Sequence, residues 1–262
     1  MLADTVQYLQ SRQKQNSEFT WEILVMDDGS KDETSNVALL FAKEHHLSES
    51  QLRVERLEEN RGKGGAVTQG VLRALGHRIL FADADGATKF SDFDLLNQDL
   101  DRLMNEREEQ DAIVIGSRAH MVKTDAVVKR SPLRNFLMRS FHLLVHTLGV
   151  GHIRDTQCGF KLFSRRAAQK IFPSVHVDGW IFDVEVLLLA DMLNIPVMEI
   201  DVTWHEVDGS KMSLMRDAIN MALDLLVIRV NYMLGIWRIK RTDRIVSPTS
   251  PSKPSFTNGR IH

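Results

Sequence analysis

The chain has 262 residues, long enough for one α/β domain with a substantial core, and its apolar (43%) and charged (26%) fractions are ordinary for a soluble globular protein. A formal net charge of −2 gives no general basic field, which argues against nonspecific nucleic-acid binding. The single cysteine, Cys158, excludes an intrachain disulfide and fits a reducing compartment.

The opening MLADTVQYLQSRQKQ is amphipathic and polar, unlike a secretory signal. Glu22 to Met26 then reads as a strand that ends at Asp27-Asp28-Gly29-Ser30, after which Asp32 can cap a helix reaching about His45. Leu52 to Leu57 alternates as a strand. A Gly-rich loop, NRGKGG, leads into a helix from about Ala66 to Leu75. Arg78 to Ala82 is the next strand, Asp92 to Asn105 the next helix, and Ala112 to Gly116 a further strand. In the second half, Gly159 to Phe163 and Val197 to Val202 read as strands, and Phe182 to Leu193 and Ser213 to Trp237 as helices. The β-α-β-α rhythm predicts an α/β fold with a mostly parallel sheet flanked by helices, over residues 1–241. The Ser-, Pro- and Thr-rich segment 242–262 reads as a disordered tail.

No uninterrupted apolar run reaches ~18 residues, the rough minimum for a membrane-spanning helix. Phe136 to Val150 and Met221 to Trp237 come nearest. Each reads equally as a helix lying on a bilayer or as a face packed on the core.

In a parallel sheet, functional loops sit at the carboxyl ends of the strands, which directs attention to DDGS, DADG and Gly116-Ser117-Arg118. DDGS alone reads as a capped turn. Asp83 and Asp85, two residues apart after a strand, repel one another without a counter-ion. A divalent cation such as Mg²⁺ or Mn²⁺ bound with a diphosphate resolves that repulsion; a plain surface turn is the alternative. Arg61, Lys63, Arg118, Lys129, Arg130, Arg134 and Lys211 suit an anionic phosphate substrate, although scattered surface cations are common. His142 and His146 have i, i+4 spacing without an HExxH pattern, so a packed or interfacial helix is the better reading than a zinc site. Cys158 reads as a small buried residue.

ILVMDDGSKDET, NRGKGGAV, FADADGATKF, GSRAH, RDTQCGFKLF, WIFDVEVLL and EVDGSK occur in that order, over roughly residues 20 to 240. Together they resemble the inverting family 2 glycosyltransferases, in the branch that glucosylates dolichyl phosphate, and the order of motifs is more specific than any one of them. The resemblance implies a GT-A type nucleotide-sugar-binding domain. It implies transfer of glucose from UDP-glucose to dolichyl phosphate at the cytosolic face of the endoplasmic reticulum membrane. It also implies roles. Asp85 is the principal metal ligand, and Asp83 lies by the ribose and the metal. Asp28 meets the uracil, and Lys63 lies near the nucleotide. Arg118 and Arg130 grip the lipid phosphate, and Ser210 and Lys211 close over the diphosphate. Asp183 has either a site role or that of a helix N-cap. A GDP-mannose donor and a non-catalytic relative that binds partners or lipid are the competing readings.

The resemblance also carries an expectation about the start of the chain. Members of this family have an apolar strand and a Pro-x-Tyr-Asn-Glu-like loop, after an upstream membrane helix, where this sequence opens inside the first helix. The strand Glu22 to Met26 is therefore expected to have an open edge, or to be covered by another segment, with weaker nucleotide binding and lower stability as the result.

Overall fold

The computed structural model describes residues 1–107, 110–123, 150–151, 153–205 and 214–240. The expected elements within these residues appear with shifted ends; the helix read over Phe136 to Val150, apart from Val150 itself, and the tail 242–262 lie outside the described residues. The strands are β1 (Ile23–Asp27), β2 (Leu52–Arg56), β3 (Arg78–Ala82), β4 (Ile113–Ser117), β5 (Phe160–Ser164) and β6 (Val197–Asp201). The helices are α1 (Leu2–Gln15), α2 (Thr34–Glu44), α3 (Gly62–Arg73), α4 (Phe93–Arg107), α5 (Arg165–Ile171), α6 (Phe182–Met192) and α7 (Leu214–Met233). The glycines of NRGKGG form the first turn of α3 instead of a loop. Close packing calls for glycine at 64, where a side chain would lie 2.5 Å from the Val177 carbonyl and 2.6 Å from Phe182.

Strand order explains how the two faces are filled. β1 and β2 pair in parallel through the α2 crossover, Ile23 opposite Leu52. A second sheet has the order β3-β5-β4-β6. Within it β4 and β6 are parallel, and β5 enters antiparallel to both β3 and β4. Every residue of β4 and β5 is buried, since helices cover both faces. Ile113, Ile115 and Phe163 face the cluster with α5 and α6, and Val114, Phe160 and Leu162 face Leu96, Leu100 and Leu103 of α4. By the same period of two, Lys161 falls on the α6 side.

β1 is different. Its residues Ile23 to Met26 are only partly buried, although their composition is that of a central strand. It hydrogen-bonds to β2 alone, and β3 ends the second sheet, so each has a second edge without a strand partner among the described residues. α3 spans from one sheet to the other: Gly70 lies against Met26, and Glu22 at the head of β1 accepts the backbone N–H groups of Leu75 and Gly76.

α6 lies between the sheet and the C-terminal helix. Ile181, Val184 and Leu188 pack on Met221, Leu225 and Ile228 of α7. Its Glu185, fully buried, accepts the backbone N–H groups of His176 and Val177 and lies 3.0 Å from the Tyr232 hydroxyl. The His176 ring stacks on Trp237 at 4.3 Å. Burial, then the Glu185 charge, pushes the Tyr232 phenol well above its ordinary range.

Ser164 closes β5 and caps α5. Its hydroxyl accepts the N–H of Ala167 at 3.2 Å and that of Ala112 at 3.1 Å. Ser164→Ala is expected to cost about 1–3 kcal/mol, because a cap is lost and a buried N–H is left unpaired. Urea unfolding is expected to show a lower midpoint at an unchanged slope.

Candidate active site

The carboxyl ends of β1, β3, β4 and β6 and the amino end of β5 bring together the segments that carry the chemistry. The turn after β3 is pinned on two sides. Asp83 donates its backbone N–H to the Gly159 carbonyl at 2.9 Å, while Thr88 bridges to Trp204 and the His205 N–H donates to Ala87. Gly86 sits at φ +75°, a conformation that favours glycine, and Asp85 accepts the N–H of Ala87 at 2.9 Å. Close approach dictates the residue at 159. A Cβ there would fall 1.9 Å from an Asp83 carboxylate oxygen, so the carboxylate lies directly on the glycine backbone.

Lys63 projects from the first turn of α3 to both Asp83 oxygens at 2.9 Å, and its ammonium lies 5.6 Å from the Trp180 ring centre. Asp85 is exposed beside this pair. Asp28, assigned to the base by resemblance, has a structural task here. Its two oxygens accept the N–H groups of Arg61 (2.7 Å) and Gly62 (2.8 Å), which fixes the start of α3. Arg61 forks onto Asp178, and the Asp178 carbonyl accepts the Gly64 N–H, so the DDGS turn, the glycines and the 177–182 segment form one assembly.

Arg118 follows β4 as expected, but its guanidinium is engaged. Nε and Nη2 donate to Asp155 at 2.8 and 2.9 Å, and the backbone N–H of Arg118 donates to the same carboxylate. The group also lies 5.6 Å from the Trp204 ring centre. Burial alone would lower the arginine's pKa; the Asp155 hydrogen bonds and charge outweigh it and raise it, and Asp155 is held below the usual carboxylate range. A phosphate reaching Arg118 therefore meets Nη1, not the open fork the sequence suggests. The sequence gives no local sign of Asp155, which lies 37 positions away. Arg130, Ser210 and Lys211 lie outside the described residues, as do Lys129, Arg134, His142 and His146.

Asp183 is not an N-cap. Ile181 holds that position, and no side chain caps the helix. The Asp183 carboxylate is instead buried 2.6 Å from the Lys161 ammonium, which also donates to the Cys158 carbonyl at 2.6 Å. Burial pushes the Asp183 carboxyl up, opposed by Lys161 and by Lys63. The sequence reading passed over Lys161; the clue is a lysine in a strand with apolar neighbours on both faces. Cys158 is buried as expected, its thiol pushed up to about 11 by burial.

Among the described residues no group of three or more His, Cys, Asp or Glu side chains forms a closed metal cage. Mg²⁺ and Mn²⁺ are commonly bound through one or two carboxylates, with phosphates and waters completing the shell. Asp83 is partly exposed (38%) and Asp85 is exposed, and they fit that mode.

The model of Glycosyl transferase family 2 matches residues 2–172. The dolichyl-phosphate beta-glucosyltransferase of Saccharomyces cerevisiae is 51% identical over 243 residues, 91% of this chain and 72% of that protein. Its Dictyostelium discoideum counterpart is 47% identical over 92% of this chain and 72% of its own length. The human one is 46% identical over 94% of this chain and 74% of its own. Among solved structures, glucosyl-3-phosphoglycerate synthase from Mycobacterium tuberculosis, in complex with Mn²⁺, UDP-glucose and phosphoglyceric acid, aligns over 84% of this chain and 70% of its own, with TM-score 0.49 and 18% identity.

Gly159→Ala drives a methyl group into the space held by Asp83. Mn²⁺ binding, followed by electron paramagnetic resonance, is expected to weaken about 10- to 100-fold. Far-UV circular dichroism is expected to stay unchanged.

Proposed function

The chain belongs to glycosyltransferase family 2, and from that premise we infer that it transfers glucose from UDP-glucose to dolichyl phosphate, with inversion, giving dolichyl β-D-glucosyl phosphate for N-glycan assembly. Its catalytic domain is of the GT-A type. The observation that carries the site assignment is the Lys63–Asp83 pair, flanked by exposed Asp85, at the carboxyl end of β3.

A divalent cation held by Asp83 and Asp85 would neutralise the diphosphate and stabilise it as a leaving group. Lys63 supplies a second positive charge beside the same position, and Trp180 limits where its ammonium can move. The acceptor phosphate is already an anion at neutral pH, so no strong general base is needed. One of its oxygens attacks the anomeric carbon from the face opposite UDP. The new C–O bond forms as the bond to the diphosphate breaks, and UDP leaves with the electron pair. Arg118 offers Nη1 to the incoming phosphate and is kept charged and oriented by Asp155. Arg130 belongs to the same acceptor role.

Glucose transfer from UDP-glucose to detergent-dispersed dolichyl phosphate, with GDP-mannose in parallel, tests this reading. Transfer is expected from UDP-glucose alone and only with Mg²⁺ or Mn²⁺. Asp85→Ala is expected to lower it about 100-fold or more with the fold retained. Near-normal turnover by that variant, or a preference for GDP-mannose, would remove the assignment.

The lipid acceptor places the enzyme at a membrane surface, and the cytosolic face of the endoplasmic reticulum is the site we infer. No helix among the described residues is long and apolar enough to cross a bilayer. α7 supports attachment of another kind. One side of it packs on α6, while Leu226 (50%), Val230 (42%) and Met233 (82%) are exposed on the other, with exposed Arg238 and Lys240 just beyond. Leu226→Glu with Met233→Glu is expected to reduce co-flotation with vesicles containing anionic lipid. It is also expected to raise KM for vesicle-borne dolichyl phosphate while KM for UDP-glucose stays constant.

A further inference from the structure

Lys161 and Asp183 form an ion pair that the reaction does not call for. Their side chains are 0% and 2% exposed and 2.6 Å apart, on strand β5 and in the first turn of α6. Such a pair is an expensive way to stabilise a fold, since apolar residues of similar volume often serve as well. Its contacts point elsewhere. The Lys161 ammonium grips the carbonyl of Cys158, and the next carbonyl, that of Gly159, accepts the backbone N–H of Asp83. The Gly159 backbone is also the floor on which the Asp83 carboxylate rests. The same ammonium lies 5.2 Å from the ring centre of Phe81, two residues before Asp83. On the other side, the Asp183 carboxylate holds the same ammonium at 2.6 Å, so the lysine is fixed between the 158 carbonyl and α6.

We propose that Lys161 and Asp183 are positioning residues for the donor diphosphate: Lys161 fixes the 158–159 peptide that seats Asp83, and Asp183 holds the Lys161 ammonium where it can do so. The proposal rests on the donor-site reading above. Neither residue touches the substrate. Both act through the seat of Asp83. Neutralising the pair as a unit leaves the net charge of the site unchanged, so a loss of donor binding then reports on position and local field, not on total charge.

The test compares the wild type with the double variant Lys161→Met/Asp183→Leu. UDP affinity with Mn²⁺ is measured by calorimetry, KM for UDP-glucose and for dolichyl phosphate by transfer, and folding by thermal unfolding. The double variant is expected to unfold cooperatively. It is expected to bind UDP about tenfold or more weakly and to raise the UDP-glucose KM in step, while the dolichyl phosphate KM stays constant. A purely structural pair would lower the folded fraction or the melting temperature without that split. Unchanged UDP affinity and donor KM in the folded variant overturn the proposal. Should the apolar pair fail to fold, Lys161→Gln/Asp183→Asn, equally free of charge but still able to hydrogen-bond, is judged by the same two constants. Failure of the wild type to bind UDP with Mn²⁺ removes the donor-site reading and this proposal together, whereas wild-type binding retained by the variants removes this proposal alone.

Discussion

Asp83 holds a negative charge in a half-covered position, and the surrounding structure is arranged to answer it. Lys63 meets both carboxylate oxygens, and the carboxylate lies directly against the Gly159 backbone. Lys63 can do this because α3 begins where it does. Asp28 fixes the first N–H groups of that helix, and small residues at 64 and 65 let it approach the 177–182 segment without clashing. Three parts of the chain far apart in sequence are thus committed to one carboxylate. A cation that joins Asp83 and Asp85 enters a place where the repulsion between two acids has been lowered beforehand.

Much of this was legible in the sequence. Runs of apolar residues ending in Asp- and Gly-rich turns fix both the strands and the end of the sheet at which loops collect, so DDGS, DADG and Arg118 could be placed near one another without coordinates. Pairing between distant segments was not legible. Nothing in Phe160–Ser164 says that it inserts antiparallel between β3 and β4, because its residues fill both faces in either direction. The glycines of NRGKGG read as a loop because glycine is costly in a helix interior; contact with Phe182, over a hundred positions on, reverses that preference. Arg118 looked free because its partner Asp155 lies beyond a long intervening segment. Asp183 resembled a cap because its position near a helix start is a local fact, whereas its bond to Lys161 is a tertiary one.

The two sheets meet through α3 instead of through a continuous ladder. The Met26 side chain lying against Gly70, and the backbone N–H groups after α3 that donate to Glu22, hold them together. β1 retains the composition of a fully covered strand with only partial cover. The residues that carry the DDGS turn and those that carry DADG belong to different sheets. The distance between the two turns is therefore set by a helix and not by strand spacing.

The first turn of α6 works in two directions. Asp183 and Glu185 are separated by about 3 Å of helix rise. Asp183 holds the Lys161 ammonium at the Cys158 carbonyl, next to the peptide that seats Asp83, while Glu185 anchors His176 and the Tyr232 hydroxyl of α7. Both carboxylates are buried, so the support of the DADG turn and the seat of α7 share one short stretch of backbone, and a change of residue there bears on both.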